Sequence, residues 1–101
     1  MNNMKWLELW YKQNCDGYWE HFYGVKIETM DNPGWSVEIN FSQMDYELEM
    51  DKYEKDEGDD NWIVCSMENG CFKGFGDSLK LDEIIGIFKQ NIEKYDSRFN
   101  R

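Results

Sequence analysis

Hydrophobic and polar positions alternate along this chain with two different periods, and the period changes mark its elements. Between Met4 and Gln13 the apolar positions Met4, Leu7, Trp10 and Tyr11 recur at the i, i+3, i+4, i+7 spacing of one helical face. Trp6 and Leu9 widen that face, while Lys5, Glu8 and Lys12 fall elsewhere. Asn2 or Asn3 supplies a cap for the first amides, and Cys15-Asp16-Gly17 ends the helix, glycine being the natural left-handed residue. From His21 to Met30 the period drops to two: Tyr23, Val25, Ile27 and Thr29 alternate with Gly24, Lys26 and Glu28, which predicts a strand with one buried face. A second strand follows from Trp35 to Phe41, with Trp35, Val37, Ile39 and Phe41 inward and Ser36, Glu38, Asn40 and Ser42 outward. Between them Asn32-Pro33-Gly34-Trp35 reads as a type II turn, with proline fixing the first central φ and Gly34 supplying the positive φ of the next.

The later segments follow the same logic. Met44 to Glu54 alternates Met44, Tyr46, Leu48 and Met50 with Asp45, Glu47, Glu49 and Asp51, which fits a strand with an acidic outer row. Glu54 to Asp60 is then a charged turn. Trp62 to Glu68 and Cys71 to Phe75 are two more strands, joined by Asn69-Gly70, the dipeptide that a type I′ hairpin turn prefers. Both sides of this hairpin read as largely covered, which places it centrally in a sheet. Gly74-Phe75-Gly76 loosens the chain but lacks the glycine pattern and lysine of a phosphate-binding loop. Asp77 or Ser78 caps a last helix whose stripe is Leu81, Ile84, Ile85, Phe88, Ile92 and Tyr95. The expected fold class is α+β, a single domain over 1–101: an antiparallel sheet of four or five strands flanked by N-terminal and C-terminal helices, which cover mainly one face.

Composition sharpens this picture. Aromatic residues make 17% of the 101-residue chain, so the core is expected to be built from rings. Twenty-one carboxylates against eleven Lys and Arg give a net charge of −10. That balance opposes direct binding of nucleic acid, whose recognition rests on cation–phosphate contacts, and favours a basic partner. The three cysteines, Cys15, Cys65 and Cys71, form no Cys-x-x-Cys pair, so neither a disulfide framework nor a zinc set is expected. The start Met1-Asn2-Asn3-Met4-Lys5-Trp6 has no apolar core of a signal peptide, and no run is long enough to span a membrane. A soluble, cytoplasmic protein with no cofactor is the expectation.

The densest set of reactive side chains is Cys15, Asp16, Glu20 and the only histidine, His21. One reading is a small hydrolase or thiol enzyme, in which imidazole activates the sulfur or two carboxylates share acid–base work. The other is structural: Asp16 caps or turns the loop, Glu20 and His21 pair across it, and Cys15 is a small apolar group. The spacing does not specify the contacts that catalysis needs, and the structural reading is preferred.

The segments Trp6-Leu7, Trp10-Tyr11, Cys15-Asp16-Gly17, Trp19-Glu20-His21, Tyr23-Gly24, Ile27-Glu28-Thr29 and Asp31-Asn32-Pro33-Gly34-Trp35-Ser36-Val37 resemble the immunity protein 53 family of bacterial polymorphic-toxin systems. The resemblance continues through Trp62-Ile63 with Cys65, Phe72 with Gly74 and Gly76, and Leu81 to Phe88. It implies a non-enzymatic protein that binds and neutralises a cognate toxin domain, with a basic nuclease as one class of target. For such an encounter the expected electrostatic residues are the row Asp45, Glu47, Glu49, Asp51 and the turn Glu57, Asp59, Asp60. Asp16 and Glu20 join them on the first loop. Tyr18, Trp19 and Tyr46 are the expected exposed aromatic anchors, because interface hot spots favour such rings.

Overall fold

The computed structural model describes residues 1–44 and 48–95. The first helical pattern forms helix α1 (Asn3–Asn14). Asn2 caps it, its side-chain oxygen accepting the Lys5 N–H at 2.8 Å. A short helix α2 (Trp19–Phe22) comes next, then strands β1 (Val25–Met30), β2 (Gly34–Asn40), β3 (Met50–Asp56), β4 (Trp62–Glu68) and β5 (Cys71–Gly76), and helix α3 (Leu81–Tyr95). The fold is α+β. All five strands form one antiparallel sheet in the order β1-β2-β5-β4-β3, with β5 at its centre.

The helices bury one face of this sheet. Val37 and Ile39 of β2, Ile63, Cys65 and Met67 of β4, and Phe72 of β5 point into the core, which α3 closes with Ile84, Ile85, Phe88 and Ile92. Phe88 is the meeting point of the rings: its centroid lies 5.0 Å from Trp10, 5.1 Å from Phe72, 6.0 Å from Trp6 and 6.5 Å from Phe41. Most of these pairs are edge-on or tilted, the arrangement that ring quadrupoles favour. The opposite face, with Trp62, Val64 and Ser66 on β4, is only half-buried, so the hairpin is central but covered on one side, not two.

Several boundaries differ from the pattern reading, each for a local reason. The first strand begins at Val25, because Asp16 caps a helical turn that takes in His21. Phe41 lies just beyond β2, its N–H donating to Gly70 O at 2.7 Å. The third strand begins at Met50, not Met44; Asp45, Tyr46 and Glu47 lie outside the described residues, and Glu49 is exposed just ahead of the strand. Gly34 is not at positive φ: it is the first residue of β2, paired with Met30, and the turn is Asp31-Asn32-Pro33. Glycine is needed there for space, since a Cβ at Gly34 would collide with the Gly76 carbonyl oxygen. Gly74 and Gly76 do not loosen the chain. They sit within β5, and at Gly74 a Cβ would strike Ile84 Cγ2, so the missing side chains let α3 lie close on the sheet. Asn69 and Gly70 hold φ of 52° and 75°, as a type I′ turn requires.

Asp77 joins β4, β5 and α3. It is buried, and its carboxylate accepts the Trp62 N–H (2.8 Å), the Leu79 N–H (2.9 Å) and the Lys80 ammonium (2.7 Å). The hydrogen bond from Lys80 and those from the two amides hold its carboxyl at about 2, below the usual 3.8.

Three stability tests follow from this packing. Phe88→Ala should cost about 3–5 kcal/mol in urea unfolding, as for other large buried rings; a loss below about 1 kcal/mol would show that the ring cluster does not need it. Gly34→Val should destabilise by more than about 1 kcal/mol by overpacking against β5. The Asp77 carboxyl is lowered in the folded state, so its stabilisation is present above the usual value and fades as pH falls through 3.8 towards about 2. Asp77→Asn should therefore lower Tm at neutral pH, with the gap to wild type closing across that window.

Candidate functional site

The loop between α1 and β1 is built by two carboxylates. Asp16 Oδ1 accepts the N–H groups of Tyr18 and Trp19, both at 2.9 Å, and so starts α2. Glu20 reaches back, accepting the Asp16 N–H at 2.8 Å and the Gly17 N–H at 2.7 Å. The exchange resembles a capping box, each carboxylate satisfying amides that the turn leaves open. Gly17 at φ 92° supplies the left-handed step between them. The Trp19 and Tyr18 amides lower the Asp16 carboxyl, and Glu20 is lowered first by its own backbone N–H and further by those of Asp16 and Gly17. Both groups are therefore ionised, and each accepts two loop amides.

Trp19 departs from the expectation of an exposed anchor. It is 2% exposed, packs edge-on against Trp10 at 5.6 Å and donates Nε1–H to Asn40 O at 2.7 Å. It pins the loop and presents no ring to a partner. Tyr18 is exposed at 51%, and Phe22, which the pattern reading did not single out, at 61%. Their rings lie 4.8 Å apart, and His21 sits edge-on against Phe22 at 4.7 Å. Phe22 escaped because the stretch was read as a strand with an inward Tyr23.

The reactive set does not assemble as an active centre. The Cys15 thiol donates to Tyr11 O at 3.1 Å, Glu20 serves the loop amides and not His21, and His21 faces solvent. Cys65 is buried, and burial, aided by the Glu83 charge, pushes its thiol up to about 12. Burial and the nearby Glu38 charge also raise Cys71. All three cysteines are free, and among the described residues no group of three or more His, Cys, Asp or Glu is placed to hold a metal ion.

The second acidic region is the β3 edge of the sheet. Asp51, Glu54 and Asp56 on the strand, Glu49 before it, and Glu57, Asp59 and Asp60 in the turn after it are all exposed. Lys52 and Lys55 interrupt them, Lys52 reaching Glu54 at 3.6 Å between well-exposed side chains, a pairing worth little. A register shift between Met50 and Tyr53 bulges the strand. Beside the bulge, a groove of about 670 Å³ separates β3 from α3, with Asp51, Lys52, Asp82 and Glu83 among its polar walls and Met50 and Ile87 among its apolar ones. Asp82 and Glu83 belong to the first turn of α3, and nothing in local sequence places them beside Asp51. Among the described residues no helix is long and apolar enough to cross a membrane.

These surfaces are those of a small acidic protein with net charge −10. The family described as immunity protein 53 matches residues 4–93, and the chain belongs to that family. Membership supports an immunity function, speaks for a non-enzymatic protein, and implies a toxin as partner in general. Searches of curated proteins and of solved structures each gave no significant match.

Native thiol labelling at neutral pH separates the two readings of the loop. Cys65 should stay unlabelled until the protein unfolds, and Cys15 should react no faster than a simple alkyl thiol. Selective, accelerated labelling of Cys15 would revive the thiol-enzyme reading.

Proposed function

We propose that this protein binds a cognate bacterial toxin domain and neutralises it by laying an acidic surface over a basic active cleft. The observation that carries this is the β3 edge, where Glu49, Asp51, Glu54, Asp56, Glu57, Asp59 and Asp60 are exposed with only Lys52 and Lys55 among them. A nuclease cleft is shaped to receive phosphates, and carboxylates on a folded edge offer the same sign of charge at fixed spacing. The net charge of −10 adds a long-range field that steers a basic domain towards contact. Asp45, Tyr46 and Glu47 belong to the same proposed surface by sequence. Asp16 and Glu20 contribute to the field while they hold the first loop together. A toxin domain is the partner, with no nucleic acid, membrane or cofactor involved, and the setting is the cytoplasm of the cell that makes the toxin.

Glu49, Asp51, Asp59 and Asp60 are suited to a charge test, because they are exposed and none has a hydrogen bond to the described fold that its removal would break. Replacing them together by Gln or Asn should leave Tm nearly unchanged. The on-rate for the toxin, taken as the C-terminal domain encoded directly upstream, should fall by about tenfold or more at low salt. The difference should shrink as the screening length drops from about 10 Å at 0.1 M to about 3 Å at 1 M salt. Plasmon-resonance kinetics across a salt series measure both, and an unchanged low-salt on-rate with inhibition intact would move the contact away from this edge.

A further inference from the structure

A second concavity lies at the opposite side of the fold, where α1 passes over the junction of α2 and β1. It is an open depression of about 330 Å³ lined by Leu7, Glu8, Tyr11, Glu20, Tyr23, Gly24 and Val25. Its composition is specific. Leu7 and Val25 give an apolar wall, Tyr11 and Tyr23 give two phenol rings, and Glu8 and Glu20 give two carboxylates, with no Lys or Arg in the lining. Gly24, at φ 65°, turns the chain from α2 into β1 without a side chain to fill the space. Tyr18 and Phe22 rise beside it, Tyr18 lying 6.2 Å from Tyr23.

We propose that this cavity receives one lysine or arginine side chain of the partner protein. The methylene stem packs on Leu7 and Val25, as long cationic side chains do on apolar surface. The charged head meets the faces of Tyr11 and Tyr23 and the carboxylates of Glu8 and Glu20. Glu20 is held ready by its two loop hydrogen bonds, so little is lost in ordering it. Both phenols are neutral rings at physiological pH, raised further by the neighbouring Cys15 at Tyr11 and chiefly by burial at Tyr23. An anion would meet two like charges, and an apolar side chain would strip water from the carboxylates without replacing it. Because β1 and β3 are opposite edges of the sheet, this contact is separate from the acidic β3 edge. Only the identity of the partner rests on the toxin-binding reading; the preference of the cavity for a cation does not.

The direct test is an NMR titration of the full chain with N-acetyl-arginine-N-methylamide, with the norleucine analogue as an uncharged probe of similar length, at constant ionic strength. The arginine compound should give saturable shifts centred on Tyr11, Tyr23 and Gly24, and the norleucine compound should not. Glu8→Gln removes a carboxylate whose only hydrogen bond among the described residues is accepted from exposed Lys5, so the fold is untouched and binding should weaken by roughly threefold, as for one partly exposed charge pair. Absence of shifts there, or equal shifts with norleucine, overturns the inference. In the complex with the upstream-encoded toxin domain, Glu8→Lys should weaken affinity by about tenfold, through charge reversal at a filled site. An intact complex with unchanged affinity overturns the inference and leaves toxin binding standing. Failure of the wild-type protein to bind that domain overturns the toxin reading alone, and the titration still decides the cavity.

Discussion

Everything in this fold is arranged around the ring of Phe88. It lies on the inner face of α3 and meets rings from α1 (Trp6 and Trp10), from just beyond β2 (Phe41) and from β5 (Phe72). Burying one such ring removes roughly 150–250 Å² from water. In a chain of 101 residues that contribution replaces a deeper aliphatic core. The geometry has a condition, which is that α3 must come close to the sheet. Glycines at positions 74 and 76 meet it, because any Cβ at 74 would occupy the place of Ile84. The small residues of β5 and the large ones of the helices are two halves of one packing solution.

That solution extends outward to the surface loop. Trp10, locked against Phe88, presents its ring to Trp19, and Trp19 hydrogen-bonds the end of β2. Asp16 and Glu20 then close the loop over it with four backbone hydrogen bonds. The exposed Tyr18 and Phe22 therefore stand on a braced base instead of a loose turn.

Much of this was legible in the residue pattern, and the exceptions are instructive. The Asn69-Gly70 hairpin, the capped start of α1 and the apolar stripe of α3 from Leu81 to Ile92 are local signals, written within a few residues, and they appear as read, while Tyr95 at the end of that stripe is 46% exposed. Asp16 as a loop cap was also local. The role of Gly34 and of the Gly74/Gly76 pair was not, because the atoms that forbid a side chain belong to distant segments. Trp19 was misplaced for the same reason: a tryptophan in a loop of glycine and charged residues looks exposed until α1 is packed against it. The stretch from Met44 alternates as regularly as a strand, and among the described residues its pairing begins at Met50. The grouping of Asp51 with Asp82 and Glu83 depends on the β3–α3 neighbourhood and has no counterpart in spacing.

The distribution of the five tryptophans has an optical consequence. Trp6, Trp10 and Trp19 form a buried row with neighbouring centroids 6.3 and 5.6 Å apart, close enough to share excitation, so their emission reports the state of the core as a unit. Trp35, near the start of β2, is half-buried and donates its Nε1–H to Ser78 O at 3.0 Å, and Trp62 is half-buried at the start of β4, paired with Asp56 beside the acidic turn. A macromolecule docking on that turn perturbs one emitter and leaves the row alone, whereas unfolding moves all of them. Intrinsic emission from the unlabelled protein thus distinguishes occupancy of the charged edge from loss of the fold.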